Sequence, residues 1–206
     1  MANPKLSIVI PIHDMPNGDF FLWRTVQALM SQTFKDFEIV ITQEGKMAKN
    51  TNAGIKKAKG ELVKILYLDD YLAHKDSLKE IVKNFGKDDQ WLVTGCVHQK
   101  NDSDYYEDPH SPHFPSYSED IHRGNNTIGS PSVLTFRNEG RLLFDENMSW
   151  LLDADLYKRY YAKYGQPKIL NDLNVCIGIG EHQTTYKLTD EEKSSEYYYL
   201  SEKYAN

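Results

Sequence analysis

Two adjacent carboxylates, Asp69 and Asp70, directly follow the apolar segment LVKILYL at residues 62–68. Neighbouring carboxylates repel each other unless a cation or hydrogen bonds offset their charge. Oxygen ligands favour Mg²⁺ or Mn²⁺ over Zn²⁺, and these ions often complete their coordination with substrate phosphates. The pair therefore indicates a divalent cation site, and a solvated pair at a turn is an equally weighted alternative. Because successive side chains of an extended chain point in opposite directions, we expect only one carboxylate to contact the ion directly.

Strand-like and helix-like segments alternate around this pair. The first predicted helix carries an apolar stripe at helical spacing, and Ser77 with Glu80 forms a possible capping box for the third. Alternation of this kind predicts an α/β fold with a mostly parallel sheet. Predicted strands cover residues 6–12, 37–42, 62–68, 91–97, 132–137 and 169–179. Predicted helices cover 20–31, 46–59, 78–85, 150–164 and the stretch from Asp190. The stripe consists of Phe20, Trp23, Val26 or Gln27, and Met30.

Residues 98–128 are polar, contain three prolines and show no periodicity. Long loops inside compact domains usually cover or shape a site. We therefore predict a functional loop that covers or shapes a site. Its tyrosines Tyr105, Tyr106 and Tyr117, together with Trp150, could stack on the flat face of a ligand, although Trp150 fits core packing equally well.

Ligands of open α/β sheets collect at the carboxyl ends of the strands, and three predicted strands end in polar residues. These ends are Pro11-Ile12-His13-Asp14, Gln43-Glu44-Gly45 and Asp69-Asp70. Neither GxGxxG nor GKS/T follows any of them, so the sequence gives no support for a dinucleotide site or a P-loop.

Charge and composition exclude two further classes of partner. The 206 residues carry a formal net charge of −6, so no basic field exists to gather nucleic acid. No apolar run approaches the ~20 residues of a transmembrane segment, and no signal peptide is visible, so we expect a cytoplasmic protein. Cys96 and Cys176 lie in apolar strand segments, which favours two buried thiols over a disulfide.

The segments KLSIVIPIHD, QTFKDFEIVI, NAGIKKAKGE and YLDDYL occur in an order that resembles family 2 glycosyltransferases of the GT-A fold. The segments GSPSVLTFR, FDENMSWLLDADLYKRY and GEHQTT resemble the acceptor side of that family. The resemblance covers about residues 5–185. It implies one GT-A domain over residues 1–206, with a nucleotide-sugar half at 1–97, an acceptor half at 98–189 and a C-terminal helix at 190–206.

The resemblance also implies roles for individual donor-side residues. His13 stands where the family lines the base pocket, and Gln43 or Glu44 stands where an Asp meets the uracil. Lys46 and Lys49 lie near a basic position that holds the phosphates. The nucleotide-sugar site implied in this way also contains Pro11, Asn52, Leu68 and Asp69.

Metal ligands are implied at the DxD position, where Tyr67 replaces the first acidic residue. The resemblance favours Asp70 on the metal and Asp69 on the ribose, and it leaves the choice of direct ligand between them open. His182 of GEHQTT stands where relatives carry a histidine that binds the metal or the diphosphate. An ordinary surface or packing histidine is the alternative.

The catalytic base of the family falls at a helix start that matches residues 151–155, LLDAD. We take Asp153 as the base and Asp155 as the second candidate, and the alternative is a solvated helix face. Residues two apart on a helix cannot both face one acceptor.

The function implied is an inverting, metal-dependent transfer of a sugar from a nucleotide diphosphate donor to a hydroxyl of a glycan or glycoconjugate. A UDP-sugar is the expected donor, and Mn²⁺ or Mg²⁺ is the expected cofactor. The alternative is a non-catalytic sugar-nucleotide or glycan-binding module on the same fold. A sugar nucleotidyltransferase would need a Gly-rich, basic loop after the first strand, and PIHDMPNGD is neither.

Overall fold

The computed structural model describes residues 3–100 and 110–205, and everything below refers to these ranges. Two short 3₁₀ turns, Ile121–Arg123 and Pro131–Val133, precede the seventh strand. The strands are β1 Leu6–Pro11, β2 Phe37–Thr42, β3 Leu62–Ile65, β4 Tyr71–Leu72, β5 Trp91–Lys100, β6 His110–His113, β7 Leu134–Arg137 and β8 Lys168–Ile179, and the helices are α1 Gly18–Met30, α2 Met47–Lys57, α3 Ser77–Asn84, α4 Leu152–Tyr164, α5 Thr184–Lys187 and α6 Asp190–Lys203.

The strands form one sheet in the order β2-β1-β3-β7-β5-β8-β4, and β6 pairs with β5. Strand β1 is parallel to both β2 and β3, and β5 is parallel to β8. Strand β7 lies antiparallel between β3 and β5. The α/β fold predicted from the alternation is confirmed. The sheet is mixed because β4, β6 and β7 run antiparallel to the strands that they pair with.

Helix α2 packs closely on β1, and this contact depends on a residue without a side chain. A Cβ atom at Gly54 would lie 2.4 Å from Cγ1 of Val9, which is too close for any larger residue. All six residues of β1 are buried, as expected for a strand covered on both faces. The packing therefore holds the end of β1, and His13 beyond it, in a fixed place.

Helix α1 presents a different face to the protein from the one predicted. Phe20, Trp23 and Met30 of the predicted stripe are 40%, 59% and 60% exposed. The helix instead buries Phe21, Thr25 and Leu29. The stripe prediction is therefore wrong.

Polar contacts explain the rotation of α1. The Thr25 hydroxyl donates to the carbonyl of Asp70 at 2.8 Å, and Nη2 of Arg24 donates to the carbonyl of Asp69 at 2.7 Å. These carbonyls follow the end of β3, where the strand ladder no longer supplies donors. The helix thus faces the sheet with the residues that satisfy the Asp69-Asp70 backbone.

The segment 98–128 contains more regular structure than predicted. Strand β5 continues through residues 98–100, and His110–His113 pairs with it as β6. The Tyr117 ring stacks on that of Tyr161 with centroids 3.8 Å apart, so Tyr117 packs against α4. Tyr105 and Tyr106 lie outside the described residues.

The predicted capping box of α3 is also absent. The Ser77 hydroxyl donates to the carbonyl of Asn174 at 3.1 Å and makes no cap hydrogen bond. Contact with β8 thus outweighs the local cap.

Cys96 and Cys176 are buried thiols, as predicted. Within the described residues, none of the helices has the length and apolar composition needed to cross a bilayer.

Asp155 anchors the C-terminal helix to α4. Its carboxylate is fully buried and accepts hydrogen bonds from Nε of Arg159 at 2.8 Å and from the Tyr204 hydroxyl at 2.7 Å. The Lys203 ammonium lies 2.8 Å from Oδ1 of the same carboxylate. Two cations and a phenol therefore surround one buried charge.

We expect Asp155→Asn to lower the free energy of unfolding by about 3 kcal/mol, because it leaves two cations facing a neutral amide. Urea denaturation with linear extrapolation measures this change. Asp120→Asn is the matched control, since Asp120 pairs with Arg123 while both side chains are largely exposed, and its loss should stay below about 1 kcal/mol. Equal losses in the two variants would contradict the anchoring role.

Candidate active site

A cavity of about 170 Å³ opens at the carboxyl ends of the central strands. Its wall combines the ends of β1, β3 and β8, the turn before β7, the start of α4 and the segment that leads into α5. The residues that line it are His13, Met47, Tyr67, Asp69, Asp70, Ser130, Pro131, Ser149, Trp150, Leu152, Asp153, Ile177, Gly178, His182, Gln183, Thr184 and Thr185. The structure thus brings together five of the predicted site residues, His13, Asp69, Asp70, Asp153 and His182.

Asp70 forms the floor of this cavity and is 2% exposed. Its Oδ1 accepts a hydrogen bond from the backbone N–H of Gly178 at 2.9 Å, and its Oδ2 accepts one from the Ser130 hydroxyl at 3.3 Å. Burial, followed by the charge of Asp69, raises the pKa of Asp70 to about 8. Both carboxylate oxygens therefore already have donors within the chain.

Asp69 is the more open member of the pair. Its Oδ2 lies 2.8 Å from Nε2 of His182, and the two side chains are 16% and 11% exposed. The ring of His182 also packs 5.6 Å from the ring of Phe21, which fixes its orientation. A carboxylate oxygen and an imidazole nitrogen thus meet at the cavity wall.

The fit of this site to a divalent cation rests on Asp69 and His182. In the described part of the chain, no group of three or more His, Cys, Asp or Glu side chains could hold a metal ion. An ion bound here would need most of its ligands from elsewhere, and Mg²⁺ or Mn²⁺ commonly takes them from substrate phosphates and water. The donor set therefore fits an ion that arrives with a phosphorylated ligand.

Asp153 faces the cavity from the first turn of α4 and is partly exposed. Its Oδ1 accepts a hydrogen bond from the backbone N–H of Ala154, and its Oδ2 accepts one from Nδ2 of Asn126, both at 2.7 Å. Burial raises the pKa of Asp153 to about 6 and outweighs these two hydrogen bonds. Such a carboxylate is ionised at neutral pH and is a stronger proton acceptor than an exposed one.

Asn126 holds Asp153 through a turn that sequence reasoning missed. Its Oδ1 accepts from the backbone N–H groups of Ile128 and Gly129, each at 3.0 Å. Asparagine often bonds to the backbone two residues ahead in this manner, so the NNTIG sequence does carry a local turn signal. The long-range bond to Asp153 has no such signal.

His13 lines both this cavity and a neighbouring one of about 550 Å³. Gln43 and Leu68 also line the second cavity, and Nε2 of Gln43 donates to Asp14 at 3.2 Å. Burial lowers the pKa of His13. Its Nδ1 is buried and has no hydrogen-bond partner among the residues that the structure describes.

The other predicted donor residues lie outside both cavities. Lys46 and Lys49 are exposed, Glu44 forms an exposed ion pair with Lys57 at 2.7 Å, and Pro11 is buried within β1.

Asn52 is 1% exposed and is engaged at both ends of its amide. Its Nδ2 donates to the carbonyl of Phe144 and to Glu146, each at 3.0 Å, and its Oδ1 accepts from the backbone N–H of Phe144 at 2.8 Å. Asn52 therefore joins α2 to the segment before α4. This structural role accounts for its burial, and the nucleotide contact expected for Asn52 stays a prediction.

Two curated proteins share sequence similarity with the chain, and no protein-family model matches it. An uncharacterised glycosyltransferase of Rickettsia typhi is 26% identical over 196 residues, covering 77% of this chain and 59% of the relative. A second one, from Rickettsia prowazekii, is 24% identical over 197 residues with the same coverage. The chain thus spans about three fifths of the length of these curated relatives.

Solved structures match over most of the chain. S. aureus TarS in complex with UDP-GlcNAc superposes with a TM-score of 0.63 at 17% identity, covering 95% of this chain and 64% of that one. A mannosyltransferase from Pyrobaculum calidifontis, in complex with GDP-Man and Mn²⁺, gives a TM-score of 0.59 at 13% identity and covers 89% of this chain and 59% of that one. Given this sheet and these structural matches, the chain has the GT-A glycosyltransferase fold.

Proposed function

We propose that the chain is a glycosyltransferase that moves a sugar from a nucleoside diphosphate donor to a hydroxyl acceptor. The observation that carries this proposal is the arrangement of three side chains around one cavity. The Asp69–His182 pair lies on one wall, and the partly buried carboxylate of Asp153 lies on another. A phosphate-side pair and a separate proton acceptor are the two elements that the transfer requires.

The donor is proposed to be a UDP-sugar. The second cavity supports this assignment, because His13, Gln43 and Leu68 offer it a ring nitrogen, an amide and an apolar surface. The cavity adjoins the acidic one at His13, so a base in the second cavity would place its diphosphate beside Asp69 and His182. TarS has been crystallised with UDP-GlcNAc, and the Pyrobaculum enzyme with GDP-Man.

Asp69 and His182 are the residues proposed to hold Mn²⁺ or Mg²⁺. Bound there, the ion would neutralise negative charge that develops on the departing diphosphate. The buried side chain of Asp70 fixes the backbone next to Asp69 through its hydrogen bonds to Gly178 and Ser130. This assignment moves the direct metal contact from Asp70, which the sequence favoured, to Asp69, because both oxygens of Asp70 are already bonded to the chain.

Asp153 is proposed to take the proton of the acceptor hydroxyl. As that oxygen attacks the anomeric carbon, a new C–O bond forms, the bond to the diphosphate oxygen breaks with its electron pair, and the configuration inverts. Asn126 holds Oδ2 of Asp153 and thereby directs the carboxylate. The acceptor, a glycan or glycoconjugate, is proposed to enter beside the turn at residues 126–130.

The experiment that tests the proposal incubates the protein with Mn²⁺ and a panel of nucleotide sugars, with and without a panel of glycan acceptors. Release of nucleoside diphosphate that depends on both donor and acceptor supports transfer. Saturable donor binding with no release from any combination would instead favour the non-catalytic binding module.

We expect Asp153→Asn to lower turnover by about 10²- to 10⁴-fold while donor affinity changes little, because an amide cannot accept the proton. The amide can replace only one of the two hydrogen bonds that Asp153 accepts, so a thermal melt must accompany the kinetics. Asp120→Asn removes an exposed charge from the same half of the chain and should retain parent turnover. Near-parent turnover in Asp153→Asn would remove Asp153 from the mechanism.

The raised pKa of Asp153 predicts a specific pH dependence. In the parent protein, kcat/KM should rise with pH through an apparent pKa near 6 and then level off, because only the carboxylate accepts the proton.

The same raised pKa of Asp153 predicts a change in stability with pH. The folded protein binds the proton more tightly than the unfolded chain, whose pKa is near 3.8, so this group's contribution to stability is lost as pH rises from about 4 to about 6. Urea denaturation across that range should show a steeper decline for the parent than for Asp153→Asn. Identical slopes would contradict the raised pKa.

Removal of divalent metal should weaken the binding of UDP. Asp69→Asn and His182→Ala should each reduce the Mn²⁺-dependent part of the affinity by at least about tenfold, because each removes a proposed ligand. Isothermal titration of UDP with Mn²⁺ and with excess chelator measures this dependence. Glu181→Gln, at the exposed neighbour of His182, is the control and should bind as the parent does. UDP affinity that is unchanged by chelator would refute the metal site.

A further inference from the structure

The carboxylate of Glu196, in the C-terminal helix α6, binds the chain just before α4. It accepts hydrogen bonds from the backbone N–H groups of Ser149 at 2.6 Å, Trp150 at 2.9 Å and Leu151 at 2.9 Å. These residues lie 45 to 47 positions earlier in the sequence. A single side chain therefore satisfies three consecutive backbone donors from another part of the fold.

The segment bound by Glu196 leads directly into helix α4. Leu151 occupies the N-cap position and makes no side-chain cap hydrogen bond. The first N–H groups of a helix have no partner within the helix, and a negative charge is favourable at that end. Glu196 supplies an acceptor for the N–H of Leu151 and a negative charge next to the first turn.

Two neighbours of Glu196 contact the same segment. The Tyr197 ring meets the Trp150 ring edge to face at 5.4 Å, and the Lys193 ammonium lies 5.8 Å from the centre of the Trp150 ring. One face of α6 thus holds Trp150 through its backbone and its side chain. Trp150 and Asp153 both line the acidic cavity, so this face lies directly behind the wall that carries the candidate base.

We infer that Glu196 is a positioning residue that fixes the start of α4 and so directs Asp153 and Trp150 into the cavity. This inference rests on the proposed function for its effect on transfer. Its structural part, the capping of residues 149–151 by α6, stands on the hydrogen bonds alone.

The charge of Glu196 also acts on Asp153. Three ionisable groups interact electrostatically with Asp153: Glu196 from α6, Tyr67 from the end of β3 and Tyr157 from α4 itself. After burial, the negative charge of Glu196 contributes to the raised pKa of Asp153. Removing that charge should lower the pKa of the base, a change that a purely structural role would not produce.

The test compares Glu196→Gln and Glu196→Asp with Glu202→Gln, an exposed charge removal on the same helix. In Glu196→Gln we expect faster hydrogen exchange at residues 149–151, a fall in kcat of about 10- to 100-fold with little change in donor KM, and an acid limb of kcat/KM at lower pH. In Glu196→Asp the shorter side chain should also lower kcat, but the retained charge should keep the limb close to its parent position. Glu202→Gln should match the parent in all three measurements.

Parent-like exchange and an unshifted acid limb in a folded Glu196→Gln variant would overturn the inference. If the parent protein transfers no sugar, the proposed function fails, and the positioning role is decided by exchange at residues 149–151 together with a carboxyl ¹³C titration of Asp153. Unchanged protection and an unchanged pKa would then refute it. If Glu196→Gln does not fold, hydrogen exchange at residues 149–151 in Glu196→Asp decides the question: faster exchange supports the role, and parent-like exchange refutes it.

Discussion

The buried carboxyl of Asp70 joins three parts of the chain that are distant in sequence. It follows β3, accepts a hydrogen bond from Ser130 before β7, and accepts another from the backbone of Gly178 in β8. Burying a carboxyl group without such donors would cost free energy. The burial of Asp70 therefore requires these three segments to lie together. Lys64 lies behind the same turn, fully buried, and its ammonium donates to the carbonyl of Ser132. The shape of the cavity floor therefore depends on two buried ionisable groups bonded to one turn.

Asp153 and Asp155 show how two nearby carboxylates acquire different properties. Asp155 is surrounded by Arg159, Lys203 and Tyr204, so its charge is used to join α4 to the C-terminal helix. Asp153 accepts hydrogen bonds from one amide side chain and one backbone N–H, and burial raises its pKa. Because residues two apart point to nearly opposite sides of a helix, one can face the protein while the other faces the cavity. The structural role of Asp155 and the chemical role proposed for Asp153 thus lie within a single turn of helix.

The sequence allowed the alternating elements and the acidic strand end to be predicted, because strand periodicity and adjacent carboxylates are local signals. Local signals also produced the errors. The stripe on α1 had helical spacing, yet Thr25 and Arg24 turn the helix toward unpaired carbonyls that only the folded sheet creates. Ser77 had the spacing of a cap, yet it bonds to β8. Asn126 and Asn52 act through partners 27 and 92 residues away, which no pattern in the sequence indicates.

The attachment of α6 behind α4 has a consequence for the order in which the protein is made. The ribosome synthesises the chain from its N-terminus, and a domain generally folds as a unit. The sheet, the acidic floor and α4 itself can all be synthesised before the residues that cap and anchor α4, since Glu196, Lys203 and Tyr204 come later. Until α6 has been synthesised, Asp155 and the N–H groups of residues 149–151 are without these partners. Completion of the wall that carries Asp153 is therefore a late event in biosynthesis.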